Sequence, residues 1–243
     1  AEVPLEVDGT FYAEVPTGVP LIVQGLNEDR MALHSMNRWF YVQPGEKLTF
    51  SIPRRIFSTT CAGCHGALTG DSVDALGPPD IVSAASRVMA TWDPMTDRRR
   101  TPNGHGNNAG DYISIDFRRD VQPILDTHCI QCHDGTGEQS AELDLRGTPT
   151  EHYSTAYETL HRLADPDSGQ QTAKQYINER EALAVESFLI EKLMGKELDA
   201  SQTLGSADAP HPAAAPLNED EILTLIRWID LGATFVGGHG AEP

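Results

Sequence analysis

Two five-residue stretches of the chain combine residue types that can hold an iron porphyrin. Both read C-x-x-C-H, and together they use all 4 cysteines of the 243-residue sequence. The residues that would carry this chemistry are Cys61, Cys64 and His65 in the first stretch and Cys129, Cys132 and His133 in the second. Two thiols one helical turn apart can add across the two vinyl groups of a haem, and the histidine that follows can bind the iron as proximal ligand. The spacing therefore predicts two covalently attached c-type haems.

A C-x-x-C pair alone has simpler interpretations. It is also typical of a thiol–disulfide redox site, a zinc site or a plain disulfide. The repetition of the complete pentad favours haem attachment over these alternatives. Because the pentads use every cysteine, none remains for a separate disulfide.

Charge and hydropathy limit the partners of the chain. It has 36 acidic and 18 basic residues, giving a formal charge of -18 at pH 7, and haem propionates would add to this negative charge. Nucleic acid and anionic membrane surfaces are poor partners for such a chain, whereas a basic redox protein fits. No apolar run reaches the length of about 18 residues that a membrane span needs, so the sequence predicts none.

The motifs also predict where the protein works. Covalent haem attachment takes place outside the cytoplasm, so we expect a periplasmic or extracellular protein. The sequence begins at Ala1 without a signal peptide, which we interpret as a mature form whose leader has been removed.

The chain is predicted to fold as an α+β protein in three parts. Residues 1–53 alternate apolar and polar positions over 11–15 and 48–52 and have short apolar runs at 21–23 and 39–42, which predicts a small antiparallel β-sandwich-like domain. Residues 54–111 are predicted to form the first haem-binding unit and a linker, with a helix over 81–92. Residues 112–243 are predicted to form a second, mainly helical, cytochrome c-like haem domain.

Helical signals are clearest in the third part. Phe117, Val121, Ile124 and Leu125 fall on one helical stripe that leads into the second pentad. Further helices are predicted over 153–163 and 179–193, the latter with Leu183, Phe188, Leu189 and Leu193 as core positions. Asn218 and Glu221 have the spacing of a capping box before a last helix, which Gly232 ends.

Several segments resemble known families. Residues 117–125 with the second pentad, together with 143–147 and 227–233, resemble a c-type cytochrome domain of planctomycete-type proteins. Residues 7–11, 14–16, 39 and 41–46 with the first pentad resemble the middle region of hydrazine synthase alpha-subunit-like proteins. The resemblance implies a β domain followed by two haem-binding helical units, without the large propeller of those enzymes. Thr69 stands where the catalytic haem of hydrazine synthase has a tyrosine, so the resemblance does not imply hydrazine chemistry.

The sixth ligand of each iron decides between electron transfer and chemistry at an open site. The resemblance implies a distal ligand just before the last helix, where this chain has His211 and no nearby methionine. For the first haem, His105 and His34 both remain open. Three methionines are further alternatives, namely Met36, Met89 and Met95.

We therefore expect an electron-transfer protein rather than an enzyme, acting as a carrier, as a subunit of a complex, or as a self-associating extracellular cytochrome filament. The alternative is a dihaem redox enzyme, a peroxidase or a nitrogen-compound oxidoreductase with one open haem, although the sequence shows no catalytic constellation. A haem-bearing sensor module, docking through its N-terminal sheet, is a third hypothesis.

Overall fold

The fold is described from a computed structural model of the chain. The residues that the structure describes are 2–6, 10–15, 17, 20–36, 38–49, 87–88, 115–136, 143–162, 175–198 and 217–236. Strands and helices both occur among them, which confirms the α+β class.

Contacts between residues divide the chain into two compact units. The first consists of Ala1–Val23, Met36–Arg98 and Gly106–Tyr112, and the second of Gln24–Ser35, Arg99–His105 and Ile113–Pro243. The boundaries expected after residues 53 and 111 stay a prediction. The contacts group residues 24–35, which lie inside the expected β domain, with the C-terminal part of the chain.

The first unit contains short strands. Strand β1 (Ala13–Glu14) pairs in parallel with strand β4 (Arg87–Val88). Leu21 and Phe40 form an isolated antiparallel bridge, with N–H···O distances of 2.9 and 3.0 Å. The helix predicted over 81–92 is wrong at Arg87 and Val88, because pairing with β1 outweighs the local helical spacing.

The predicted strands of this unit are shorter than expected. The strand predicted over 11–15 is confirmed at β1. In place of the strands predicted over 21–23 and 39–42, the structure has only the bridge between Leu21 and Phe40 in these two segments. Residues 48–49 form no strand, while 50–52 and the rest of 81–92 lie outside the described residues.

A β-hairpin opens the second unit. Strands β2 (Gln24–Leu26) and β3 (Ala32–Ser35) pair antiparallel, with Gln24 opposite Ser35. In the turn between them, the Asn27 side chain accepts the Met31 N–H at 2.9 Å, and Arg30 adopts a φ of 64°. Strand β3 lies in a segment over which the sequence predicts no strand. Two buried residues followed by two exposed ones do not show the alternation by which a strand is recognised.

The helix leading to the second pentad begins at an aspartate cap. Asp116 accepts the backbone N–H groups of Arg118 and Arg119, and a π-helical turn over Phe117–Val121 continues into helix α1 (Gln122–His128). The predicted apolar stripe is confirmed, since all four of its residues are buried.

Further helices complete the second unit. Helix α2 (Thr155–Leu160) is shorter than the predicted 153–163 and begins at the Ser154 cap. Helix α4 (Glu219–Asp230) begins with the predicted Asn218–Glu221 capping box. Gly232, with a φ of 95°, follows its C-terminal cap.

The long helix predicted over 179–193 is wrong in its first half. A 3-10 turn (Ala184–Glu186) and helix α3 (Phe188–Met194) stand in its place. Ser187 separates them, because its hydroxyl donates to Leu183 O and accepts the Asn178 N–H at 2.9 and 2.8 Å. The four predicted core positions are half-buried, whereas Ala184, Ser187, Ile190 and Glu191 are fully buried.

The core of the second unit lies between α1, α2 and α4. The Phe117 ring lies 5.2 Å from that of Trp228 and 5.1 Å from that of Tyr157, as measured between ring centroids. Trp228 is 1% exposed, and its indole N–H donates to Thr234 O at 3.0 Å. The Tyr157 hydroxyl donates to Ala233 O at 3.0 Å. The polar ends of these rings are thus paired while their apolar surfaces pack together.

None of the helices in the described ranges combines the length and the apolar character needed to cross a bilayer.

Candidate haem-attachment site

The second pentad forms a helical turn at the end of α1. The N–H of Cys129 donates to Leu125 O at 2.8 Å, and the N–H of His133 donates to Cys129 O at 2.9 Å. Residues three apart on such a turn are neighbours on one side of it. Cys129 and Cys132 are both free thiols at this spacing, with His133 directly after them. The donor set thus fits the double thioether attachment and proximal ligation of a c-type haem.

The two thiols have different surroundings. Cys129 is half-buried against the apolar core, whereas Cys132 is exposed. Burial, reinforced by the negative charge of Glu221, raises the pKa of the Cys129 thiol to about 11. Catalytic and redox-active cysteines need the opposite, an electropositive site that stabilises the thiolate. The environment of Cys129 therefore argues against a thiol–disulfide redox site.

A histidine–carboxylate pair fixes the end of α1 to the start of α4. His128 Nε2 lies 3.0 Å from Glu221 Oε1, and both side chains are largely buried. The second carboxylate oxygen of Glu221 accepts the Asn218 N–H at 2.9 Å. The sequence identified Glu221 only as part of the cap. Its partner, 93 positions away, gave no local signal.

A second support reaches the pentad from residues 144–146. The Leu145 N–H donates to His133 O at 2.9 Å, so the carbonyl of the predicted proximal ligand is held. Leu145 O in turn accepts the side-chain amide of Gln122 at 3.0 Å. The turn is thus tied both to α1 and to the segment that follows it.

Most of the other predicted iron ligands lie outside the part of the chain that the structure describes. The first pentad, with Cys61, Cys64 and His65, lies outside the described residues, as do His105, His211, Met89 and Met95. His34 is exposed on β3, in the unit that contains the second pentad, so its assignment to the first haem stays a prediction. Within the described ranges, no cluster of three or more His, Cys, Asp or Glu side chains is placed to hold a bare metal ion.

This chain is similar to hydrazine synthase alpha subunits. Residues 1–66 match the family model of the hydrazine synthase alpha subunit middle domain. The hydrazine synthase subunit alpha of Kuenenia stuttgartiensis is 25% identical over 279 aligned positions, which cover 94% of this chain and 32% of that protein.

The solved structure of Kuenenia stuttgartiensis hydrazine synthase matches 89% of this chain with a TM-score of 0.50 and 21% identity. The chain spans about a third of the length of these relatives, 32% of the sequence and 30% of the structure. It is related to the hydrazine synthase alpha subunit over most of its own length and shares its fold there.

Proposed function

We propose that this chain is a dihaem c-type cytochrome that transfers electrons, as a carrier or as part of a larger assembly. The observation that carries the proposal is the second pentad, a helical turn with two free thiols three residues apart and the backbone of His133 held at its end. The same five-residue pattern recurs at residues 61–65. When bound, a haem supplies reversible one-electron transfer through its iron.

The residues around the second pentad suit that role. Cys129 and Ile130 pack against the buried core of the second unit, which gives the attachment site an apolar wall. Hydrogen bonds from α1 and from Leu145 fix the backbone of the turn, so that Cys129, Cys132 and His133 keep their relative places. A rigid apolar surrounding is what an electron-transfer site needs, because it limits reorganisation and tunes the potential.

The axial ligand set determines the potential. We propose His211 for the second haem and His105 or His34 for the first, beside the proximal His65 and His133. Two bis-histidine irons would have low potentials, because methionine ligation is what raises them.

The charge of -18 favours basic redox proteins as partners. Association into a complex is supported by the curated relative, which is by name a subunit. Assembly into a filament and a periplasmic or extracellular location also belong to this proposal.

Mass spectrometry combined with spectroscopy tests the proposal. The intact mass of the wild-type protein should include two haems. The double variants Cys61→Ala/Cys64→Ala and Cys129→Ala/Cys132→Ala should each lose one of them and keep the other. Near-infrared magnetic circular dichroism of the oxidised protein should show two low-spin bis-histidine haems. A wild-type protein without covalent haem would refute the proposal.

A second candidate function is a nitrogen-compound oxidoreductase, and the relationship to the hydrazine synthase alpha subunit favours it. This function needs an open iron, with an acid or base beside it. Carbon monoxide binding to the reduced protein separates the two functions. Rapid binding at one haem, with a high-spin signal in the oxidised state, would support the enzyme. No binding at either haem would support the electron carrier.

A further inference from the structure

The chain reverses immediately after the second pentad. The carboxylate of Asp134 accepts the N–H and the hydroxyl of Thr136 at 2.9 and 2.8 Å. Gly135 between them has a φ of 74°, in the left-handed region that residues with a side chain rarely adopt. This tight turn begins one residue after His133, so whatever holds it also holds the end of the pentad.

A bidentate ion pair presses against this turn. Arg146 Nε and Nη2 donate to the two carboxylate oxygens of Asp144 at 3.0 and 2.6 Å. A Cβ atom built at Gly135 would lie 2.8 Å from Asp144 Oδ2 and 3.2 Å from Arg146 Nη2. A side chain at residue 135 would therefore have to displace the ends of both side chains of the ion pair.

The same segment is fastened to its surroundings through its backbone. Leu145, between the two charged residues, donates its N–H to His133 O and buries its side chain. Arg146 O accepts the N–H of Ala156 in α2 at 3.0 Å. An isolated surface ion pair contributes little. This one differs, because its two members flank the hydrogen bond that holds the carbonyl of the predicted iron ligand.

We propose that Asp144 and Arg146 are positioning residues for the second haem. The pair locks the segment of Leu145 and the turn at Gly135 around His133, and it thereby fixes the direction from which the His133 imidazole approaches the iron. The inference rests on the proposed function, since it concerns the ligand of a haem at Cys129 and Cys132. Neither residue is proposed as an iron ligand, and both act through Leu145 and Gly135 on the backbone of His133. Residues beyond the ligands commonly tune a metal centre, and their substitution typically costs about 10- to 100-fold in metal affinity or activity.

The test uses Arg146→Lys, which keeps the charge but loses the bidentate geometry, and Asp144→Asn, which keeps the size but loses the charge. Arg180→Gln is the matched control, because its ion pair with Glu181 is exposed and open at 3.8 Å. All three are made in the Cys61→Ala/Cys64→Ala background, so that only the second haem contributes. Two quantities are measured on the haem-loaded protein, the hydrogen exchange of the Leu145 amide and the g-values of the oxidised low-spin haem.

We expect exchange at the Leu145 amide to rise about tenfold in both pair variants, as follows from losing a charged hydrogen bond. We also expect their g-values to shift or split, because the imidazole plane is no longer fixed. The control should change neither quantity. Gly135→Ala alters the turn that contacts the ion pair and should likewise raise the exchange of the Leu145 amide and shift the g-values. This variant keeps the test possible if one of the ion-pair variants does not fold.

Unchanged g-values in the pair variants would overturn the proposal even if exchange rises, since the pair would then have a purely structural role. Unchanged exchange would overturn it as well. A wild-type protein without haem on Cys129 and Cys132 would instead overturn the proposed function. The exchange data would then still show whether the ion pair stabilises the hydrogen bond from Leu145 to His133. The two failures are therefore distinguishable.

Discussion

Asp230 ties distant parts of the second unit to the end of α4. It is 5% exposed, and its two carboxylate oxygens accept the N–H groups of Ala184 and Ala32 at 2.7 and 2.8 Å. Burial raises the pKa of this carboxyl from its ordinary 3.8 to about 6, against the opposing effect of the two hydrogen bonds. The charged form is therefore held at a cost in stability, which Asp230→Asn should reveal.

The sign of the pH dependence follows from proton binding. Because the folded pKa lies above the unfolded one, the folded protein keeps a proton on Asp230 between about pH 4 and pH 6, where the unfolded chain has released it. Stability therefore falls as pH rises through this window. The difference between 3.8 and about 6 makes this loss about 2 to 3 kcal/mol between pH 4 and pH 7. The asparagine does not titrate, so the variant should gain that amount relative to the wild type.

Urea unfolding followed by circular dichroism at pH 4, 5, 6 and 7 measures this difference. Asp220→Asn, at the exposed start of the same helix, is the control and should follow the wild type. A difference between Asp230→Asn and the wild type that stays constant with pH would refute the reasoning. So would a variant that becomes relatively less stable as pH rises, since the hydrogen bonds of the carboxylate would then outweigh its desolvation.

Three further predictions follow from the described contacts. Phe117→Ala removes a fully buried ring and should lower the free energy of unfolding by about 3 to 5 kcal/mol. The control Tyr41→Ala removes an exposed ring and should have little effect. Equal losses of stability in urea unfolding would contradict this prediction. Asn218→Ala removes the cap of α4 and should cost about 1 kcal/mol by the same assay, and no loss would mean that the capping box is absent in solution. In folded protein prepared without haem attachment, iodoacetamide should label Cys132 well before Cys129. The labelling rate of Cys129 should rise only as pH approaches 11. Equal labelling rates of the two cysteines at pH 8, measured by peptide mass spectrometry, would show that Cys129 is not shielded.

Local signals in the sequence were sufficient for some elements. The stripe from Phe117 to Leu125 and the capping box at Asn218 are both confirmed, because each depends on residues within one or two turns of each other. The spacing of the second pentad likewise predicted a helical turn, since the thiols and the histidine are neighbours in sequence.

Elements that depend on distant partners were not predictable. Asp230 looks in the sequence like a solvent-facing residue near the end of a helix, but its partners include Ala32, 198 positions away. The helix expected over 179–193 is interrupted at Ser187 by the hydroxyl bond to Asn178, which no local spacing indicates. The packing of the Asp144–Arg146 ion pair against Gly135 was not predicted for the same reason. A glycine in a polar loop indicates a turn but does not identify what is packed against it.

The hairpin of β2 and β3 has a practical consequence for dissecting the protein. It lies before the first pentad in the chain, yet Met31 is buried in the core that contains Trp228, and Gln24 donates to Asp230 O from 206 positions away. The second unit is thus built from pieces that are not consecutive in the sequence. A fragment expressed from residue 112 onward would lack the hairpin and would leave the carboxylate of Asp230 without the Ala32 partner. Isolating the second unit therefore requires residues 24–35, joined to the C-terminal part by a linker or supplied as a separate peptide.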